Sequence, residues 1–209
     1  MGCDIHVMIE EKFEDEPKEG WQVSGFELDY FGRNYDVFGM LADVRNGIGF
    51  AGINLGDGFE PIDEPRGVPV DAGERWLSYV EEWDCDGHSH GYFYLKELKE
   101  LLTNGYFDKE TKHRGIVSLQ EYREMETRGG GRPSSWSIDI SGPGIRIVTP
   151  KELDTIDLDL GKIYVSVEWK ETYRESGQYL IDFIEKLVEY EIESGACHNC
   201  VRMCFLFDN

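Results

Sequence analysis

Three segments of the chain alternate apolar and polar residues with the period of two that is typical of a β-strand. They cover residues 3–13, 163–169 and 201–207. Residues 21–28 follow an acidic turn at 14–20 and are predicted to pair back on the first strand as a hairpin. These strands predict a mainly antiparallel sheet, although the pattern does not reveal the strand order.

Apolar residues at intervals of three and four predict four helices, and the highly charged segment 119–127 is predicted to be a fifth. The first is capped at Asn34 or Asp36 and runs to about Arg45. The second follows Asp71 and Glu74, which have capping-box spacing. The other three cover residues 94–102, 119–127 and 178–193.

Two segments lack either period. Residues 47–70 are rich in Gly and Pro, and a loop of this length is usually functional or mobile. Residues 128–135 (RGGGRPSS) predict a mobile loop tip. With no internal repeat and no clear linker, the chain is predicted to be a single α+β domain over residues 1–209, with packed helices and long loops.

The charge of the chain argues against one class of function. Lys plus Arg number 21 and Asp plus Glu number 42, which gives a formal net charge of −21. Because such a chain is repelled by phosphate backbones, direct binding to double-stranded DNA is not expected. No apolar run reaches the length of about 18 residues that a membrane span needs. The start lacks the basic region and cleavage site of a secretion signal, which predicts a cytoplasmic protein.

The five cysteines are predicted to be reduced thiols, as expected in the cytoplasm. Cys197 and Cys200 form a CxxC motif, but the chain has no second CxxC to complete a zinc site. A structural zinc would need further ligands such as His198 or Cys85. The pattern favours free thiols over zinc. The sequence does not determine the oligomeric state, and a homo-oligomer stays open.

The first candidate for chemistry is Asp4 with His6, two metal-competent side chains at i and i+2 in an otherwise apolar strand. The period of two places both on the same face. There a carboxylate and an imidazole can bind one ion at about 2 Å. An ordinary solvent-facing side of a strand has the same pattern, so both interpretations stay open.

The second candidate is DCDGHSHG at residues 84–91, which is predicted to end the second helix. His88 and His90 share a face if the backbone there is extended. Asp86 is placed to act as a metal ligand or a general base. With the first candidate, these imidazoles predict a site for a divalent metal ion, zinc or manganese. A short His-rich turn without a metal is the alternative.

The third candidate is the block around the first predicted helix, together with an arginine in the long loop. The residues are Arg33, Asn34, Tyr35, Asp36, Asp43, Arg45 and Arg66. Arginine forks and a helix N-terminus suit a phosphate or a carboxylate. The alternative is a surface helix with ordinary salt bridges, and a loop arginine that offsets nearby acids.

Several blocks together resemble a family of bacteriophage and prophage proteins. They are MGCDIH at the start, RNYDVFGMLADVRNG at 33–47, EPRGVP at 64–69, DGHSHG at 86–91 and FLFDN at the end. The resemblance implies a phage gene product that acts in the cytoplasm of an infected bacterial host, and it implies no particular reaction. The family pattern maps onto Asp4, His6, Arg33, Asn34, Asp36, Asp43, Arg45, Arg66, Asp86, His88 and His90.

Three hypotheses follow, in order of preference. The first is a metal-dependent hydrolase, of phosphodiesterase type, acting on a nucleotide or cyclic nucleotide signal and countering host defence. Its metal ligands would be Asp4, His6, His88 and His90, its catalytic residues Asp86, His88 and Arg45, and its ligand-binding residues Arg33, Asn34, Tyr35, Asp36, Asp43 and Arg66. The second is a pocket that binds and sequesters a host immune nucleotide without catalysis. The third is an acidic mimic of DNA that inhibits a host enzyme.

Overall fold

In the computed structural model, strands in two sheets and helices on both faces of the larger sheet make an α+β fold, which confirms the predicted class. The structure describes residues 2–13, 20–28, 31–157, 161–194 and 200–208. The strands are β1 (Ile5–Glu11), β2 (Gln22–Val23), β3 (His88–Tyr94), β4 (Glu110–Ser118), β5 (Ile145–Val148), β6 (Lys162–Thr172) and β7 (Val201–Phe207). The α-helices are α1 (Tyr35–Ala42), α2 (Glu74–Trp83), α3 (Leu95–Leu101), α4 (Leu119–Thr127), α5 (Pro150–Leu153), α6 (Tyr173–Ser176) and α7 (Gln178–Ser194).

The larger sheet has the antiparallel strand order β2-β1-β7-β3, so β7 is flanked on both sides. All seven of its residues are buried. Met203 and Phe205 belong to the main core with residues of α1, α3 and α7, whereas Cys204 and Leu206 pack on the opposite face against Trp76 of α2. The predicted alternation of β7 is therefore confirmed, and the sheet lies between two layers of helix.

The smaller sheet has the order β4-β6-β5, with β4 antiparallel and β5 parallel to β6. A separate core of Val117, Val165, Val167 and Trp169 packs with Met125 of α4. Helix α4 is highly charged and has few apolar residues, and those few pack on the smaller sheet.

Several elements differ from their predicted bounds. Helix α1 ends at Ala42 rather than near Arg45, because Asp43 and Arg45 both adopt positive φ angles, 58° and 53°, that a helix cannot continue through. Asn34 caps its start as predicted, accepting from the Val37 amide. Strand β2 is only two residues long, although it pairs with β1 as predicted.

Strands β3, β4 and β5 were not predicted, since none has a clear period of two. The predicted turn at residues 14–20 lies, up to residue 19, outside the described residues. Residues 128–135 form a turn that is tied to α4, where Glu121 accepts from Arg128 and from the Ser134 amide.

The predicted capping box at α2 is wrong. Gly73, not Asp71, is the N-cap residue, and it makes no side-chain cap. The Asp71 carboxylate instead accepts from Trp21 Nε1 at 2.8 Å and from Arg202 Nη1 at 2.7 Å. A buried guanidinium therefore recruits the carboxylate that would otherwise cap the helix.

Arg202 is the centre of this buried network. Its side chain and that of Glu10, its partner across β1 and β7, are both fully buried. Arg202 Nε donates to Glu10 at 2.8 Å, and the guanidinium lies 3.9 Å from the centroid of the Trp21 ring. Burial opposes the charge, but hydrogen bonds to Asp71 and Glu10 outweigh it and raise the pKa of Arg202. The cation is thus fully compensated inside the fold.

Among the helices of the described residues, none combines the length and apolar character required to cross a membrane.

We expect Arg202→Met to lower the free energy of unfolding by about 3–5 kcal/mol, because it leaves the Glu10 carboxylate buried without a cation. Urea unfolding followed by circular dichroism measures the change. The double variant Glu10→Gln/Arg202→Met is the control, because glutamine retains a carbonyl for the Gly73 amide, which donates to Glu10 at 2.8 Å. It should lose clearly less than Arg202→Met alone; an equal or larger loss contradicts the ion-pair account.

Candidate functional site

The two ends of the described chain meet at one end of the larger sheet. The Asp208 amide donates to the Asp4 carbonyl at 3.1 Å, and the Asp4 amide donates to Asp208 Oδ1 at 2.9 Å. These bonds continue the pairing of β1 with β7 by one step. They fix the Asp208 carboxylate beside the first strand.

His6 lies on the α2 side of this sheet end and uses both ring nitrogens. Its Nε2 is 3.3 Å from Asp208 Oδ2, and its Nδ1 is 2.8 Å from the Tyr79 hydroxyl. The Trp83 ring covers the imidazole at a centroid distance of 4.1 Å. A carboxylate has no proton to donate, so we assign the proton of this hydrogen bond to His6 Nε2. His6 Nδ1 is then the acceptor for the Tyr79 hydroxyl. The three side chains form one hydrogen-bonded chain, Tyr79–His6–Asp208, that is partly open to solvent.

An arginine fork stands next to this chain. Arg33 donates from Nε and Nη2 to the two carboxylate oxygens of Asp4, at 2.7 and 2.8 Å. Burial raises the pKa of the Cys3 thiol beside this sheet end, and the positive charges of Arg45 and Arg33 act in the opposite direction. The Arg33 guanidinium and the acid–base chain thus share one end of the sheet, and Arg33 remains 57% exposed there.

A β-bulge separates the two histidines of the second candidate. His88 pairs with Phe207, whereas Gly91 pairs with Phe205, so two residues of β3 lie opposite the single residue Leu206 and one of them is extra. His88 stacks on Phe207 on the main-core side, while the His90 ring lies near Trp83. The expected shared face is not formed, because the bulge, with Ser89 at φ 49°, places the two imidazoles on opposite faces.

The structure therefore does not gather the four predicted metal ligands at one point: His6 and His88 face opposite sides of the sheet. Burial lowers the pKa of His90, and the charge of His88 adds to this effect. Asp86 is exposed, in a short 3-10 turn before β3. Across the described ranges, no three His, Cys, Asp or Glu side chains come close enough to hold a metal ion. Zinc or manganese binding stays a prediction.

The candidate residues Tyr35 and Asp43, in and after α1, have structural roles. The amide of Asn46 donates to Asp43 at 2.7 Å and to the Phe59 carbonyl, and its carbonyl accepts from the Phe59 amide, both at 2.6 Å. Asp43 and Asn46 therefore fasten the long loop to the end of α1. Tyr35 packs edge-on against Phe38 at the rim of the core.

Arg66 serves the fold as well. It donates to Asp63 at 2.8 Å and to Glu97 at 2.9 Å, and it lies over the Phe93 ring. Its hydrogen bond to Glu97, aided by the one to Asp63, raises the pKa of Arg66. It ties the long loop to β3 and α3, away from the sheet end where Arg33 lies.

The charges of a second polar cluster, which contains His113, Glu171, Ser176 and Arg132, act on Asp36. Burial raises its pKa, and Glu171 adds to this effect, whereas His113 and Arg132 act in the opposite direction. His113 Nε2 lies 3.2 Å from both Glu171 Oε2 and the Ser176 hydroxyl, which donates to the same carboxylate oxygen at 3.1 Å. Arg132 pairs with Glu171 from the loop at 128–135. Asp36 and Arg33, neighbours in sequence, thus serve different sites.

Sequence reasoning missed Tyr79 and Asp208. The spacing of Tyr79 from Trp76 and Trp83 on α2 placed it close to the apolar face, and Asp208 lies directly after the closing strand, opposite Asp4. Pairing the first strand with the closing strand would have placed Asp208 next to Asp4. Cys3, Cys85 and Cys204 are free thiols as predicted, whereas Cys200 is disulfide-bonded, contrary to the prediction. Cys197 and His198 lie outside the described residues.

A scan against models of protein families finds no match to this chain, and searches of curated proteins and of solved structures find none either.

We expect Asp36→Asn to raise the melting temperature at pH 7. A carboxyl whose pKa is raised in the folded state makes the wild type lose stability as pH rises from the ordinary Asp range through the raised value. The variant lacks that loss, so its advantage should grow with pH and vanish below about pH 3.8, where Asp is protonated in both states. Thermal unfolding at several pH values measures this. A difference that is independent of pH would contradict it.

Proposed function

We propose that the chain is a hydrolase of phosphodiesterase type, acting on a small nucleotide-like phosphate ester at the end of the larger sheet. The hydrogen-bonded chain Tyr79–His6–Asp208 carries this proposal, because it joins a hydroxyl, a base and an orienting carboxylate in the order that proton transfer requires. Each ring nitrogen of His6 has one of these partners. His6 and Asp208 are both about one-fifth exposed, which leaves them within reach of a ligand.

In the proposed reaction a water molecule attacks phosphorus. Its proton passes to the Tyr79 oxygen as the tyrosine proton passes to His6 Nδ1, and Asp208 stabilises the imidazolium. When the phosphorus–oxygen bond of the ester breaks, the leaving oxygen takes a proton back through the same route. Arg33 and Arg45 supply positive charge for the phosphate in the transition state. A small anion needs only this local charge, despite the net charge of −21.

The sequence-based prediction of a divalent metal remains part of the test, since a metal would lower the pKa of bound water towards about 7. We also propose, on the resemblance to bacteriophage and prophage proteins, that the chain acts in the cytoplasm of an infected bacterium on a host nucleotide signal.

Sequestration without catalysis is the second candidate. It is favoured by the Asp4–Arg33 fork, in which both carboxylate oxygens already bind the guanidinium, so Asp4 is not poised to hold an ion. In that case Trp83 and Tyr79 would supply stacking surface for a base.

We expect His6→Gln, Tyr79→Phe and Asp208→Asn each to lower hydrolysis of a panel of cyclic and linear nucleotides by roughly 100-fold or more, because each breaks the proton route. Chromatography of the products, with and without EDTA or added manganese, measures turnover. The matched control is His113→Gln, which removes an imidazole from the other carboxylate cluster and should retain activity. Loss of activity in the control but not in His6→Gln would refute the assignment.

The variant His88→Ala distinguishes catalysis by the hydrogen-bonded chain Tyr79–His6–Asp208 from catalysis by a metal centre. His88 lies on the opposite face of the sheet from His6. If the chain Tyr79–His6–Asp208 is responsible, the variant should keep an activity within a few-fold of the wild type. A metal site that includes both histidines predicts loss of activity and of bound metal, read by elemental analysis. If wild type turns over no nucleotide but releases an intact one on heat denaturation, sequestration replaces hydrolysis.

A further inference from the structure

A groove runs along the outer side of α7, away from the residues of the proposed reaction. One wall is Phe26, which directly follows a segment that is held in place by hydrogen bonds. The Ser24 amide donates to the Ile9 carbonyl at 2.9 Å, and the Gly25 amide donates to the Tyr190 hydroxyl at 3.0 Å. Tyr190 in turn donates to Glu11 at 2.8 Å. The wall is therefore part of the fold and the groove exists without a ligand.

The floor of the groove is aromatic. The Phe26 ring meets Phe183 edge-on at 6.0 Å, and Tyr179 lines the same space. The groove encloses about 300 Å3, at the lower end of the range for ligand pockets. It therefore has room for one or two side chains. The negative face of an aromatic ring attracts Lys or Arg as well as apolar groups.

The rim of the groove is acidic. Asp182, Glu185 and Glu189 are exposed and line it together with Lys186, which gives three negative charges against one positive. Glu185 and Glu189 are four residues apart on one helix, a spacing at which like charges repel and weaken the helix. A basic ligand would relieve this repulsion. From Asp182 to Glu189 the rim extends along α7 by about 10 Å, the length of a short segment rather than of a single cation.

We propose that this groove docks a basic segment of a partner protein, with an Arg or Lys side chain over Phe26 and Tyr179 and its charge against Glu185 and Glu189. An apolar residue of the same segment would fill the rest of the floor. The site is separate from the proposed hydrolase, so either can fail without the other.

A fluorescein-labelled peptide of alternating Arg and Leu is the probe, and fluorescence anisotropy at 50 and 200 mM NaCl is the measurement. Wild type should bind it, more weakly at the higher salt, and should bind an Arg–Ser peptide clearly less well. Glu185→Lys/Glu189→Lys should weaken binding at least 10-fold. Tyr179→Ala should weaken it while leaving the charge unchanged.

The matched control is Glu100→Lys/Glu124→Lys, which makes the same change in net charge at exposed positions elsewhere. It should weaken binding no more than twofold. Absence of binding to wild type, equal loss in both double variants, or equal affinity for the two peptides would overturn the proposal, since each points to no site or to a diffuse acidic field. If the Glu185/Glu189 double variant loses its helical signal, Glu185→Gln should still weaken binding about threefold.

Discussion

A positive charge buried in the central strand constrains the rest of the structure. Arg202 has no exposed surface, and an unpaired guanidinium there would cost several kcal/mol. Glu10 forms an ion pair with it from the neighbouring strand, and Asp71 forms a second one from the segment that leads into α2. The ion pair therefore fixes both the register of β1 on β7 and the place where α2 begins.

The position of α2 links this network to the candidate site. The helix starts at Glu74, beside the Arg202 network, and runs along the sheet to Trp83. That path brings Tyr79 and Trp83 over His6, at the end of β1 opposite to Glu10. The acid–base chain is therefore assembled from a strand, a helix and the residue after β7, each placed by packing that the buried ion pair requires.

The sequence predicted the strands and helices with strong periods and missed those without them. Strand β7 and helix α7 were found because burial selects apolar residues at regular intervals. Strand β4 was missed because its side chains pair by charge across the small sheet, as Arg114 does with Glu168, rather than by apolar packing.

Strand β3 was missed for a different reason. Its polar start, His88-Ser89-His90, contains the bulge, and Gly91 is placed where the ring of Phe205 leaves no room for a side chain. A bulge is a property of strand pairing, which a local pattern does not encode. For the same reason the sequence could place Asp4 near His6, but it could not show that His88 lies on the opposite face or that Asp208 returns to the start of the chain.

The two histidine clusters contain similar groups, and their geometry separates their roles. In a nucleophile or proton-transfer arrangement the base lies between the hydroxyl and the carboxylate, with one ring nitrogen for each. His113 presents the single atom Nε2 to both Ser176 and Glu171. The Ser176 hydroxyl donates directly to the Glu171 carboxylate, so the imidazole does not lie between the two. His6 faces Tyr79 with one nitrogen and Asp208 with the other. Glu171 is also only 5% exposed, against 19% for Asp208. The His113 cluster therefore ties β4 to β6 and α6, whereas the geometry at His6 suits proton transfer to a ligand from solvent.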